Sequence, residues 1–201
     1  MTAAQLMTAL AALYLEMGEN AVAGDYCASA LASPAAQTFN VQREALLIQG
    51  HLQRAAGEWA AARTTYEAAY ALSQQTNLVA TWLPVQLYLA ILALEQGATV
   101  AALAAVEPVL TNFAEMNLSA AQRPQELLWL AYQILAANQD PCATSILHQA
   151  WALVQDQLAK IEDPRLRETF LTNVPVNREL ARLVNANRTR IAAAHAVASA
   201  A

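Results

Sequence analysis

The chain has 201 residues, of which 57% are hydrophobic and only 13% are charged, and its formal net charge is −5. This composition excludes intrinsic disorder, which requires low hydrophobicity together with high net charge. Ala and Leu, the two strongest helix formers, dominate the sequence, and β-branched residues are sparse. We therefore predict an all-α fold with enough apolar residues for the cores of one or two domains.

The placement of the charges and the apolar runs excludes two classes of partner. Seven of the 11 Lys and Arg residues lie after residue 159 and are mixed with acids there, whereas nucleic acid requires a concentrated cationic surface. Every apolar run is interrupted before the roughly 18 residues that a membrane span needs. The first basic residue is Arg43, so a secretory signal with a basic start is not expected. These observations predict no nucleic acid partner, no membrane partner and a cytoplasmic location.

An internal repeat organises most of the chain. Gly18, Gly57 and Gly97 are almost evenly spaced, and a further step of similar length reaches Asn138, which gives a period of about 40. Gly and Asn best tolerate the left-handed conformation in which many helices end. Seven positions before these turns lies a small residue in every case: Ala11, Gly50, Ala90 and Ala131. We predict four antiparallel helix pairs, at about residues 3–34, 42–76, 82–117 and 123–160.

The second pair carries the clearest copy of this pattern. In GEWAAARTTYEAAYAL, residues 57–72, a Gly turn is followed by Ala62, Tyr66 and Ala69 at helical spacing. The pattern resembles the tetratricopeptide repeat, although the standard unit of that family is shorter, at about 34 residues. The resemblance covers about residues 3–160, within a repeat domain predicted at 1–160, and implies an α-solenoid whose first helices line a concave groove. The alternative fold is a four-helix bundle or another irregular α domain, in which the glycine spacing is a coincidence.

Residues 161–201 differ from the repeats and are predicted to form a capping segment and a C-terminal helix. The Asp-Pro pair at 163–164 predicts the start of a short helix. The segment 161–178 is similar to one that closes tetratricopeptide arrays in large bacterial regulators, behind a nucleotide-binding module. That similarity implies that Phe170 and Leu171 cover the apolar end of the array. It also implies that the chain is a sensor or scaffold region of a signalling protein.

No group of residues predicts catalysis, a cofactor or a metal site. The five glycines are too scattered for a phosphate-binding loop, and His51, His148 and His195 are far apart, without an HExxH motif. Cys142 and His148 are separated by about 240° around one helix, so they face apart. Cys27 occupies a core position of its repeat, which favours a buried structural cysteine over a nucleophile.

A binding surface is therefore the predicted functional feature. Under the tetratricopeptide geometry, the groove-facing residues are Gln5, Thr8, Ala12, Glu44, Leu47, His51, Arg54, Leu87, Ile91, Glu95, Gln125, Leu128 and Tyr132. A groove of this mixed character suits a helix or an extended peptide. The expected function is non-catalytic: a protein–protein interaction, scaffold or sensor module of a bacterial signalling protein.

Three alternatives remain open at this point. The groove could pack on other domains of a longer parent protein or on a second copy, as a homodimer. An apolar pocket near Leu87, Ile91, Leu128 and Tyr132 could instead sense a small hydrophobic ligand. An all-helical enzyme is the third alternative and has the least support from the residues.

Overall fold

The computed structural model of the chain describes residues 2–34, 38–76, 78–113 and 123–199, without the side chains of 112–113 and 188–199. The described residues form ten helices and no strand, which confirms the all-α prediction. The chain divides into two compact units, an N-terminal unit Met1–Asn112 and a C-terminal unit Phe113–Ala201. The boundary expected from the sequence lay instead at residue 160.

The N-terminal unit contains six helices: α1 (Ala3–Glu16), α2 (Asn20–Ala32), α3 (Phe39–Ala55), α4 (Trp59–Gln74), α5 (Val79–Glu95) and α6 (Thr99–Phe113), the last of which ends one residue beyond it. Helix α1 packs on α2 and α3 packs on α4, and α3 also contacts α1 and α2, while α4 contacts α5. The amide of Gln86 in α5 donates a hydrogen bond to the carbonyl of Ala105 in α6 at 3.0 Å. The predicted end of the third pair, at 114–117, lies outside the described residues.

The C-terminal unit contains α7 (Pro124–Ala137), α8 (Ala143–Ala159), α9 (Pro164–Asn173) and α10 (Pro175–Ser199). Helix α7 packs on α8, and α10 contacts α7, α8 and α9. The carboxylate of Asp163 accepts a hydrogen bond from the Arg165 amide at 2.8 Å, which confirms the predicted start of α9. Asn177 of α10 is fully buried and donates from Nδ2 to the Phe170 carbonyl at 3.1 Å, so it joins α10 to α9.

The four first helices end in the same hydrogen-bonded turn. Its left-handed residue is Gly18, Gly57, Gly97 or Gln139, with φ of 79°, 76°, 79° and 56°. The amide of this residue donates to the carbonyl three positions earlier, and the next amide donates to the carbonyl five positions before itself, at 2.9 to 3.1 Å. This arrangement is a Schellman motif, which satisfies carbonyls that the helix end leaves free. The predicted glycine spacing therefore corresponds to equivalent turns.

The prediction that Asn138 occupies the left-handed position is wrong by one residue. Asn138 is the C-cap of α7, with φ −95°, and its side-chain Nδ2 donates to the Ile134 carbonyl at 2.9 Å. This bond holds Asn138 on the end of the helix, so the left-handed conformation falls on Gln139. The turn that follows α7 therefore has no glycine at its left-handed position.

Small residues let the two helices of a pair approach closely. The predicted small positions Ala11, Gly50, Ala90 and Ala131 are all buried. Tyr66 of α4 lies directly against Gly50 of α3, and Cys27 of α2 shares an apolar cluster with Ala11 of α1. The glycine faces the larger side chain and the alanine faces the smaller one, so the sizes of the two partners compensate.

Candidate functional site

Six of the 13 residues predicted to face a groove have buried side chains instead. Thr8, Leu47 and Ile91 are 6%, 7% and 3% exposed, and Leu87, Gln125 and Leu128 are equally enclosed. The expectation that these side chains line an accessible surface is therefore wrong. The physical reason is visible at α3, which contacts α1, α2 and α4, so that little of its circumference remains open.

The buried positions serve local structure and the core. Leu47 belongs to an apolar cluster with Tyr66 of α4 and Val85 of α5. The Thr8 hydroxyl donates to the carbonyl of Gln5 at 3.0 Å, within its own helix. In the C-terminal unit, the Gln157 amide lies 3.4 Å from the Gln125 side-chain oxygen, which joins α8 to α7.

The remaining predicted residues keep some exposure. Gln5 forms a reciprocal capping box with Thr2 at the start of α1, and Ala12 packs at the edge of an apolar cluster. Glu44 pairs with its neighbour Arg43. Tyr132 lies in the C-terminal unit, where its ring stacks on Trp129 with centroids 5.5 Å apart.

The structure brings three of the predicted residues together in the N-terminal unit. Arg54 of α3 forms an ion pair with Glu95 of α5, with a 2.9 Å distance between Nη1 and Oε1. Their side chains are 31% and 38% exposed, so the pair reaches the surface. His51 lies one turn before Arg54 on α3 and is half-buried. This group joins the first helices of two successive pairs.

Two tyrosines complete the group, which we call the His51 cluster: His51, Arg54, Tyr66, Tyr88 and Glu95. The Tyr66 hydroxyl lies 2.7 Å from Nδ1 of His51. The His51 ring meets the Tyr88 ring edge-on with centroids 4.3 Å apart, and the two tyrosine rings stack at 5.8 Å. Helices α3, α4 and α5 therefore each contribute to one packed aromatic group.

Burial sets the protonation states in the His51 cluster. Burial, with the Arg54 charge as the second cause, lowers the pKa of His51 to about 3. Burial also raises the pKa of Tyr66. Histidine is then neutral and tyrosine protonated near pH 7, so we assign the hydroxyl as donor to Nδ1. With so low a pKa, His51 is too weak a base for proton transfer at neutral pH, and with a raised pKa Tyr66 is too weak an acid.

Sequence reasoning missed the part that the two tyrosines play. Tyr66 was identified only as a repeat position, and Tyr88 was not singled out. The sequence did contain one signal. Gly50 is the one glycine among the four small positions, and the same pair carries the large side chain of Tyr66. Tyr88 belongs to the helix after that of Tyr66, and only the packing of α5 against α3 and α4 makes it part of the cluster.

Neither cysteine has the environment of a nucleophile. Cys27 is buried, burial raises its pKa, and its thiol donates to the Ala45 carbonyl at 3.3 Å, which confirms the predicted structural role. Cys142 is exposed, and the hydrogen bond and charge of Asp140 raise its pKa. Within the described ranges no three His, Cys, Asp or Glu side chains are grouped as a metal site would require.

A surface cavity of about 820 Å³ lies elsewhere on the N-terminal unit. The cavity is open and lies around the start of α4. Its lining includes Gly57, Trp59, Arg63 and Gln96. None of the four residues proposed for a hydrophobic ligand pocket lines this cavity. Across the part of the chain that the structure describes, no helix combines the length and the apolar character that crossing a membrane requires.

No protein-family model, curated protein sequence or solved structure matches the chain.

Proposed function

We propose that the chain is a non-catalytic protein-interaction module, a tetratricopeptide-like α-solenoid that holds a segment of a partner protein against α3 and α5. The observation that carries the proposal is the Arg54–Glu95 ion pair. It lies at the surface and joins first helices of successive pairs, which is where arrays of this kind bind their partners. Glu44, half-exposed on the same helix α3, is the third charged residue that we assign to this surface.

The chemistry of the partner follows from the charges on this surface. Arg54 offers a planar group of donors suited to a carboxylate, while Glu95 and Glu44 suit Lys or Arg. Each of these charges already has an ion-pair partner within the chain. A bound segment therefore exchanges these pairs for its own and must carry charges of both signs.

The properties of the His51 cluster support a binding role over catalysis. His51 and Tyr66 form rigid packing beneath the ion pair and are not tuned for proton transfer. The resemblance of segment 161–178 to the closing segment of bacterial signalling arrays is the ground for proposing a bacterial signalling role. The same resemblance favours a partner protein, or another domain of a longer parent, over a second copy as the bound molecule. The charge and apolar patterns of the sequence are the ground for proposing a cytoplasmic location.

The test begins with a photo-crosslinking amino acid at position 44 of the full chain, compared with the same amino acid at Thr64, which is exposed on α4. We expect position 44, and not position 64, to capture a defined partner from source cells. Equal capture at both positions would contradict the proposed binding surface.

A charge swap then separates binding from folding. Arg54→Glu with Glu95→Arg keeps an ion pair and is expected to unfold within about 2 °C of the wild type, since exposed pairs contribute little. The purified partner is expected to bind this variant about tenfold or more weakly. Unchanged affinity in the swapped chain would overturn the proposed site.

A further inference from the structure

We propose that the outer face of α1, formed by Leu6, Ala9 and Leu13 and here called the edge face, is a docking surface for a helix pair of a partner protein. Leu6 is 46% exposed and Leu13 is 51% exposed, and Ala9 between them is exposed too. The edge face contains none of the residues of the surface proposed above, and its argument does not depend on that surface.

The repeat supplies the equivalents of these three residues. They lie 12, nine and five positions before Gly18, the residue that closes the first pair. The same positions before Gly57 and Gly97 are Ala45, Ile48 and Leu52 in α3 and Val85, Tyr88 and Leu92 in α5. All six of these equivalents are buried or half-buried.

In both helices the preceding helix pair covers these positions. Ala45 and Ile48 share one apolar cluster with Ala11 of α1 and Cys27 of α2, and the Cys27 thiol bonds to the Ala45 carbonyl. Val85 and Leu92 share a second cluster with residues of α3 and α4, including Leu47, Ala62 and Tyr66. In both α3 and α5, therefore, these positions pack against the helix pair that precedes them in the chain.

The edge face has the same chemistry at the same positions. Its residues are apolar and uncharged, and all three are exposed where their equivalents in α3 and α5 are covered. The occupant that fits is a pair of helices presenting apolar side chains, as α1 and α2 present Ala11 and Cys27 to α3. Exposure alone does not identify such a face: Val100 is 77% exposed, but its equivalents Ala21 and Ala60 are exposed as well.

The test offers the full chain a helix pair of known sequence. A copy of residues 2–40, one period of the repeat, is placed ahead of Thr2, so that the copied Ala11 and Cys27 can pack on the original Leu6 and Leu13. We expect the helix content to rise by the 14 and 13 residues of a further α1 and α2. Leu6→Gln with Leu13→Gln in the original helix should then lower Tm by about 6 °C more in the extended chain than in the native chain.

Val100→Gln is the matched control, and it should lower Tm equally in both chains. The proposal is overturned if the added residues bring no helix, or if the paired Leu→Gln substitutions have equal effects in the two chains. Sedimentation of the native chain tests the other possible occupant of the edge face, which is a second copy of the chain. A dimer that Leu6→Gln and Leu13→Gln convert to a monomer would assign the edge face to a second copy and would also overturn the proposal.

Discussion

The ring of Tyr66 fills the space that a side chain at residue 50 would need. A β-carbon on Gly50 would lie 2.6 Å from Cδ1 and 3.0 Å from Cζ of that ring. Tyr66 is fully buried and its hydroxyl is bonded to His51, so the ring has no free space into which to move. This contact explains why the second pair has glycine where the others have alanine.

Gly50→Ala is therefore expected to lower the free energy of unfolding by about 1–3 kcal/mol through overpacking, although alanine favours the helix by roughly 1 kcal/mol. Urea unfolding measures the loss. Gly24→Ala is the matched control, because a β-carbon there would meet only Leu52 Cδ1 at 3.9 Å; we expect it to stabilise. A smaller loss for Gly50→Ala in a Tyr66→Leu background would locate the strain at this contact, and an equal loss would contradict it.

Gln139→Gly is expected to stabilise the chain by about 1 kcal/mol, because the left-handed conformation costs side-chain-bearing residues roughly 1–2 kcal/mol and glycine almost nothing. Gln139 holds this conformation, with φ at 56°. Asn138→Gly should destabilise, because Asn138 has a negative φ of −95°, at which glycine has no advantage, and its side chain bonds to the Ile134 carbonyl. Thermal unfolding of the two variants decides which residue closes the fourth pair, since the alternative assignment reverses both signs.

Stability is expected to fall between pH 7 and pH 5 because of His51. The unfolded chain takes up a proton near the ordinary histidine pKa of 6.5, whereas the folded chain holds the pKa of His51 at about 3. The unfolded state thus binds more protons as pH falls through this window, and the folded state loses stability, by about 1–2 kcal/mol at pH 5. Urea unfolding of wild type and His51→Gln at both pH values measures this. A pH dependence unchanged by the substitution would show that His51 is not its source.

Asn177→Asp is expected to destabilise the chain by about 2–4 kcal/mol at pH 7, because it buries a carboxylate and removes a hydrogen-bond donor. The lost donor is the one to the Phe170 carbonyl, which the new carboxylate would face. Burial would raise the pKa of the new acid, so the loss relative to wild type should shrink toward pH 4, where a protonated acid can donate again. Asn173→Asp, at an exposed position of α9, should cost less than about 1 kcal/mol. An equal loss for both variants would contradict a structural role for Asn177.

Much of the helix arrangement could be predicted because its signals are local. Three regularly spaced glycines mark three of the four turns, and the abundance of Ala and Leu marks the helices between them. The left-handed residue of the fourth turn was predicted one position too early, because Asn138 is a good candidate for that conformation. Its side-chain bond to Ile134 keeps it on the helix instead, and sequence spacing carries no information about that bond.

The candidate site was predictable only in part. Helical spacing correctly placed His51 and Arg54 on one stripe of α3, but it says nothing about which neighbouring helices cover that stripe. Leu47 was therefore assigned to a surface although it lies in the core. The aromatic part of the His51 cluster depends on contacts among three helices, whose geometry a one-dimensional pattern does not contain.

The recurring Schellman closures also affect how the chain folds. Each joins two helices through contacts between residues near one another in sequence, so a pair can form without bringing distant parts of the chain together. Because α3 packs on the pair before it, a formed α1–α2 pair is a template for the next. We expect the N-terminal unit to fold by addition of successive pairs, which keeps contact order low and folding rapid. Within that unit, we expect the first pair to be more open to amide hydrogen exchange than the second, which helices on both sides contact.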